Sequence, residues 1–593
     1  VGRLVFAIAV SAIWCLIPAT SAGAAQPRAT VEGDIDAALR TEIIRAIGES
    51  DRPILNRFEA RRRAREAAET AIAVLRAEGY YAYQVEPEVG EGDIPAPVVR
   101  ITPGTRFTFA GAKVEWLNPA PPAEVRRKAE AEMRLSNGDP GRAAEVLAAE
   151  GRVAAAVQKQ GYADVAPEPR EVIVDHADAT VRPTFRIVAG ELVRLDGLQI
   201  TGASRTDPAW LQKLVTWKSG DAYDPQNVAE LERRLLDTGV YDSVTVALAP
   251  KEKVTAGGLR PIVVSLADRS RRTIELGASY ATTEGAGVES RWTRYNVFNR
   301  ADTVALTAKL SELDSRLAAE LSLPHWRRPQ QTLKTTVAAY RTTTDAYDET
   351  GLGVRADVTR RYGKTSYVTV GASVDASRTE EVRIGTLTSL GRDIIAFGVL
   401  GDLSLDRSND PLDPKRGWRV GVRAEPTLLV GETNQPYLKL TTQGSVYVPL
   451  AKSGATVVAA RARVGAILGG TINAIPASRR FYAGGGGSVR GYGYQAVGPR
   501  LADNTPQGGL SLIETSLELR QKVTGRWGVV AFVDGGAVGA DRFPTTHDIS
   551  VGAGLGVRYD LGFGPIRADF AVPLDKRQGD ADFQIYISIG QSF

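Results

Sequence analysis

Phe583-Gln584-Ile585-Tyr586-Ile587-Ser588-Ile589-Gly590-Gln591-Ser592-Phe593 stands at the end of the sequence. Its residues sort by parity. Phe583, Ile585, Ile587 and Ile589 fall on one face, with Phe593 in register, and Gln584, Tyr586, Ser588, Gly590 and Ser592 fall on the other. Side chains alternate across a strand, so this segment predicts one face against lipid and one against a wet lumen. Residues 367–376, 419–423, 438–448 and 456–467 repeat the alternation more weakly. Charges sit inside these runs, as in Arg461-Ala462-Arg463 and Arg355-Ala356-Asp357. The core of a soluble sandwich excludes such charges, whereas a hydrated lumen accepts them. A strand that spans an outer membrane needs about 9–11 residues plus its turn. Residues 269–593 therefore predict a transmembrane antiparallel β-barrel of about 16 strands, an even number as bacterial barrels use.

The remaining composition narrows the class. The chain has 593 residues and a mean hydropathy of −0.15, and its only long apolar run is N-terminal, which argues against a helical membrane protein. Arg3, the apolar residues 4–17 and Ala22-Gly23-Ala24 read as a signal peptide over residues 1–25. The single cysteine, Cys15, lies within it, so the exported part is expected to lack disulfides and thiolate chemistry. Basic and acidic residues nearly balance, 73 against 69, and no basic stripe with aromatics points to nucleic acid. His176, His325 and His547 are scattered, and neither H-E-x-x-H nor G-x-S-x-G occurs. Asp406, Asp410 and Asp413 lack EF-hand spacing and read as a turn. The expectation is a protein that is not an enzyme, with no cofactor and no metal.

Residues 28–268 alternate helices and strands instead. Apolar residues at helical spacing mark 59–75, 141–160 and 226–237. Each helix runs into a glycine and an aromatic: Gly79-Tyr80-Tyr81, Gly161-Tyr162, Gly239-Val240-Tyr241. The spacing is about 80 residues, an internal repeat. Asp51-Arg52-Pro53, Asp139-Pro140 and Asp224-Pro225 read as helix starts. Strands at 98–102, 184–188 and 262–266 close the units, and Gly104 and Gly190 are expected to act as hinges. The result is three β-α-α-β-β units, over residues 28–103, 104–189 and 190–268.

The most specific motif is Phe481-Tyr482-Ala483-Gly484-Gly485-Gly486-Gly487-Ser488-Val489-Arg490-Gly491-Tyr492-Gly493-Tyr494. No G-x-x-x-x-G-K-[ST] and no β-α-β context supports a phosphate cradle. Val489, Arg490, Gly491 and Tyr492 resemble the Val-Arg-Gly-Phe/Tyr loop of the outer-membrane assembly and translocation barrels, the superfamily that includes BamA and TamA. Phe532, Asp534 and Gly536 resemble the Phe-x-Asp-x-Gly strand motif of that superfamily, and the three N-terminal units resemble its periplasmic POTRA domains. Leu323-Pro324-His325-Trp326 and Leu412-Asp413-Pro414-Lys415-Arg416-Gly417-Trp418 resemble its strand and turn segments. Three POTRA-like units before a barrel of this size resemble the TamA type.

The resemblance implies an assembly or secretion factor for β-barrel clients such as autotransporters, working through POTRA docking and lateral opening of the barrel seam. It implies a bacterial outer-membrane location with the POTRA domains in the periplasm. The implied partners are a TamB-like protein anchored in the inner membrane, unfolded outer-membrane clients and outer-membrane lipid. The terminal Phe593 resembles the insertion signal of such barrels, and Gly590 would weaken the last strand. A two-partner secretion transporter and a passive channel or receptor are the alternatives.

Elementary physics adds to this. Glu514, Ser516, Glu518 and Arg520 share one strand face, opposite Ile513, Leu517 and Leu519. With the apolar set in lipid, Glu518 points inward, and Asp534 is expected to join it. An arginine entering the lumen would then find carboxylates for its planar fork. Arg490 is therefore expected to pin the loop to Glu518 and Asp534.

Overall fold

The structure, a computed structural model, describes residues 26–593 other than 51, 92–94, 203, 256, 282–284, 364, 383–388, 432–433, 452, 544–548 and 563. The expected signal peptide, Cys15, Asp51 and His547 lie outside the described residues. The chain forms two compact units. One runs to Gly197 and takes in Trp217–Val228 and Ala249–Pro261; the other comprises Leu198–Thr216, Ala229–Leu248 and Ile262–Phe593. No helix among the described residues is long and apolar enough to cross a membrane.

The N-terminal residues build three small sheets, each accompanied by a helix pair, besides a two-stranded pairing of Gln26–Pro27 with Glu49–Ser50. In the first, Thr30–Glu32 runs parallel to Pro97–Thr102, and Gln84–Val89 runs antiparallel to it. Helices α1 (Ala37–Ile47) and α2 (Arg57–Ala77) cover this sheet, and Leu39, Ile43, Ala71 and Leu75 meet Val99 and Ile101 in its core. In the second, Thr108–Phe109 and Lys113–Trp116 run parallel to Thr180–Val188, with Ala166–Asp175 antiparallel. Here α3 (Ala123–Ala131) and α4 (Ala143–Gln158) supply the cover, burying Val146, Ala149 and Val153 against Phe107, Phe109 and Phe185. The third sheet places Arg260–Asp268 between Leu195–Thr201 and Tyr241–Leu248, with helices α5 (Pro208–Gln212) and α6 (Pro225–Leu236). The sheet strands and helices run strand, helix, helix, strand, strand in the first and third, while the second has two short strands before its helix pair.

One local expectation needs correction. Of the two aspartate-proline signals whose aspartate is described, Asp224 caps a helix, accepting from the amide of Gln226 at 2.8 Å, and Asp139 does not. The N-cap of α2 is Asn56, whose side chain accepts from Glu59 N, and α4 begins at Ala143 behind Arg142 with no side-chain cap. The joins between successive units carry main-chain hydrogen bonds. Phe107 N donates to Gly79 O at 2.8 Å and Val193 N to Gly161 O at 2.9 Å, so the helix-ending glycine of one unit holds the chain entering the next. Gly79, Gly161 and Gly239 take φ of 91°, 99° and 70°, the left-handed turn that a glycine supplies at a helix end.

The second unit carries one sheet of sixteen strands, β1 (Arg272–Ala281), β2 (Gly285–Tyr295), β3 (Thr303–Ser311), β4 (Asp314–Leu323), β5 (Gln331–Thr343), β6 (Asp348–Tyr362), β7 (Ser366–Val382), β8 (Ser389–Asp406), β9 (Gly417–Gly431), β10 (Gln435–Pro449), β11 (Thr456–Leu468), β12 (Ser511–Thr524), β13 (Trp527–Gly539), β14 (Ser550–Asp560), β15 (Pro565–Pro573) and β16 (Gln584–Ile589). Every neighbouring pair is antiparallel. The two faces differ as the alternation requires. On β12, Leu517 and Leu519 are 55% and 46% exposed, while Ser516, Glu518 and Arg520 between and beyond them are buried. Phe583, Ile585 and Ile587 share the outward face.

β16 is shorter than the alternation in sequence implies. Its ladder with β15 runs only from Ile566↔Ile589 to Ala571↔Gln584. Gly590 then adopts φ 91°, and its amide donates to Pro565 O at 2.7 Å. A left-handed residue breaks the parity rule, so Phe593 does not continue the lipid face. It turns into the lumen. Its ring lies 6.4 Å from that of Tyr447, under the guanidinium groups of Arg461 and Arg520 at 5.4 and 5.2 Å. Ser592 Oγ donates to Glu518 Oε1 at 2.5 Å. β1 and β16 approach within 8 Å at Cα, but among the described residues they share no ladder.

Candidate functional site

The connection between β11 and β12, residues 469–510, is folded into the barrel. Val489 and Tyr492 are fully buried within it, and Arg490 is 1% exposed. Burying a guanidinium is costly unless every donor finds an acceptor. Here the acceptors come from three strands. Asp534 on β13 takes the fork, Oδ2 from Nε at 2.6 Å and Oδ1 from Nη2 at 2.9 Å. Glu518 on β12 and Asp569 on β15 lie 2.8 and 3.1 Å from Nη1. Ser516 Oγ donates to Asp534 Oδ1 at 2.5 Å, and the amide of Arg490 donates to Oδ2 at 3.1 Å. The guanidinium carbon stands 3.4 Å from the ring centroid of Phe532.

Shape completes the fit. A Cβ on Gly536 would come 2.4 Å from Val489 Cγ2, and one on Gly552 would meet Arg490 O at 1.8 Å. Gly491 has φ 101° and abuts Val572 O, so the backbone after the arginine can turn along the wall. Its amide donates to Tyr586 OH at 3.1 Å, which in turn donates to Tyr492 O at 2.9 Å. Tyr492 OH reaches Val551 O and Asp575 O at 3.1 and 3.0 Å. Each member of the strand motif thus meets the loop motif: Phe532 faces the cation, Asp534 takes the fork, and Gly536 leaves room for Val489.

The sequence reading brought Arg490, Glu518 and Asp534 together, and the structure does too. It missed Asp569, Ser516, Tyr586 and Gly552. Alternation alone places Asp569 inward, opposite the exposed Phe570, but does not say which inward carboxylate the loop reaches. Glu514, also read as inward, is 1% exposed; it accepts from Ser488 Oγ and pairs with Arg463 at 3.3 Å. The acidic turn of Asp406, Asp410 and Asp413 is held by its own amides, with Asp410 Oδ1 accepting from Leu412 N and Asp413 N at 2.8 and 2.9 Å.

A second clamp holds the loop's earlier part against another arc of the wall. Arg480 Nη2 pairs with Glu381 on β7 at 3.0 Å, and Arg392 on β8 pairs with the other oxygen of that carboxylate at 2.7 Å. Arg479 reaches Asp375 on β7 at 2.5 Å. The loop therefore crosses the lumen as a strut fixed at both ends. Arg480→Ala is expected to free the earlier end by about 1.5–3 kcal/mol, the worth of a charged hydrogen bond. Glu381 keeps Arg392, so the barrel stays folded. Faster cleavage between Thr471 and Arg479 by external protease would register the release; unchanged cleavage would count against the clamp.

A sixteen-stranded antiparallel barrel with an arginine loop seated inside it defines a class. Residues 296–593 match the Omp85 superfamily domain, and the chain belongs to that superfamily. Residues 193–257 match POTRA, described as a surface antigen variable number repeat. The barrel is accordingly an outer-membrane barrel, with the N-terminal POTRA region in the periplasm. The chain is 21% identical over 577 residues to "Outer membrane protein assembly factor BamA" of Neisseria meningitidis serogroup B, covering 84% of this chain and 68% of that protein. It is 22% identical over 440 residues to the protein of the same description from Neorickettsia risticii, covering 68% of this chain and 56% of that one. Among solved structures, BamA from Haemophilus ducreyi lacking POTRA domains 1–3 superposes with a TM-score of 0.65 at 16% identity, over 82% of this chain and all of that one. That likeness is one of fold.

Proposed function

We propose that this chain assembles or secretes outer-membrane proteins, taking β-barrel clients such as autotransporters at the seam between β1 and β16. The observation that carries this reading is the seam itself, where neighbouring strands approach without a ladder. Backbone groups left unpaired in lipid cost several kcal/mol each. A client strand that offers its own amides and carbonyls relieves that cost, and no nucleotide is needed. The relatives described as BamA assembly factors support the same direction.

Residues 28–103, 104–189 and 190–268 act in this reading as three POTRA units, which dock clients by adding a strand to an exposed sheet edge. A TamA-type role, with a TamB-like partner anchored in the inner membrane, follows from the number of units. Copurification of such a protein with the full chain would support it, and its absence under crosslinking would remove it.

The test of the seam uses one cysteine on β1 and one on β16, since residues 26–593 contain no other thiol. Oxidation is expected to abolish client assembly, and reduction to restore it. A crosslink that forms completely while assembly continues unchanged would leave the passive-scaffold reading instead.

A further inference from the structure

The Leu-Pro-His-Trp segment has no part in the lumen site. It forms the turn between β4 and β5 on the side where β1 begins, which is the periplasmic side. With the turn between β2 and β3 and helix α5, it encloses a cavity of about 390 Å³. The walls are fixed. Asn296 Nδ2 donates to Thr206 Oγ1 at 2.9 Å, Thr206 bonds Tyr241 OH at 2.7 Å, and Asp207 N donates to Asn299 O at 2.8 Å. His325 Nδ1 accepts from Gln330 N at 3.0 Å, which leaves its Nε2 to donate to Arg234 O at 3.1 Å. Burial holds this imidazole below its ordinary pKa, so it stays neutral and structural.

The charge around the cavity is one-sided. Lys213, Arg300, Arg327 and Arg328 line it, and among the described residues none of the four forms an ion pair. The one carboxylate in the lining, Asp207, accepts from Ala209 N as the cap of α5. Two aromatics complete the rim: Phe298, 56% exposed, and Trp326, whose ring lies 4.4 Å from the Arg327 guanidinium. The strands above carry outward Leu306, Leu317 and Val337, the apolar band that meets lipid. Tryptophan and arginine at the edge of such a band mark the headgroup level of a membrane.

We propose that this cavity is a binding site for the headgroup of an anionic phospholipid of the periplasmic leaflet, with Arg300, Arg327, Arg328 and Lys213 around the phosphate and Phe298 and Trp326 against the first acyl carbons. Unpaired cations concentrated in a cleft attract an anion, and arginine suits a phosphate in particular. An acidic peptide or free phosphate would satisfy the charge, but neither would use the two aromatics beside the apolar band.

The test uses the full chain, purified in neutral detergent and stripped of lipid. Phosphatidylglycerol and phosphatidylcholine with identical acyl chains are titrated in, and retained lipid is counted by native mass spectrometry. At least tenfold tighter retention of phosphatidylglycerol is expected for one lipid per chain. The Arg300→Gln/Arg327→Gln/Arg328→Gln variant should lose that preference while keeping the heat-sensitive migration of a folded barrel. Should that variant fail to fold, Lys213→Gln and Arg328→Gln, tested singly, are each expected to weaken retention severalfold. Equal retention of the two lipids, or undiminished preference in folded variants, would overturn the proposal. Displacement of phosphatidylglycerol by inorganic phosphate alone at equal concentration would also overturn it, in favour of a simple anion site.

Discussion

Arg490→Ala is expected to undock the lumenal loop at a cost of about 3–5 kcal/mol, the usual penalty for leaving a buried charge without its partner. The three carboxylates around the guanidinium do not suffer equally. Glu518 keeps Arg520 at 2.8 Å, and Asp569 keeps Arg558 at 2.5 Å. Asp534, among the described ion pairs, has Arg490 alone. The defect is therefore that of one orphaned carboxylate. Adding Asp534→Asn to Arg490→Ala should recover part of the loss, because a buried amide needs no counter-charge. Arg490→Lys should fall between wild type and alanine, since it keeps the charge but cannot make the fork. Protease added outside, attacking residues 469–510, reads the undocking, and client assembly is expected to fall with it. A double variant as defective as Arg490→Ala would show that charge pairing is not what seats the loop.

Gly552→Ala is expected to be nearly as severe without removing any charge. The added Cβ would sit 1.8 Å from Arg490 O, and that atom belongs to backbone held on both sides. Overpacking costs about 1–3 kcal/mol where side chains can adjust; here the loop itself has to move, which puts the effect at the upper end. Gly536→Ala gives the contrast. Its obstacle is Val489 Cγ2 at 2.4 Å, a side-chain methyl, so Val489→Ala should rescue it. No side-chain truncation should rescue Gly552→Ala. Gly444→Ala on β10, where an added Cβ meets nothing within 4 Å, is the neutral control. Rescue of Gly552→Ala by Val489→Ala would refute the backbone clash.

These contacts also show what the amino-acid sequence discloses and what it conceals. The barrel is legible because lipid and water face each other across every strand, and side chains such as Leu517 and Glu518 cannot exchange places. The inward direction of Glu518 and Asp534 follows from that alone. Asp569 obeys the same rule, but parity gives direction and not distance, so its meeting with Arg490 was hidden. Arg479 and Arg480 were hidden for another reason. They sit in a segment with no periodicity, whose path depends on which wall it crosses to. Phe593 misled because alternation presumes extended backbone, and one left-handed residue at Gly590 ends it. The helix-glycine repeats were legible because a helix end needs φ > 0, while Asp139-Pro140 misled because an aspartate-proline pair only permits a turn.

The seated arginine also carries an order of events. Arg490 precedes in the chain every carboxylate that holds it: Glu518, Asp534 and Asp569 follow 28, 44 and 79 residues later. A chain delivered from its N-terminus presents the cation first and the acceptors one strand at a time. Until β15 has been laid down the guanidinium lacks part of its cage and is better off in water. A seated loop is thus a record that all but the last strand is in place.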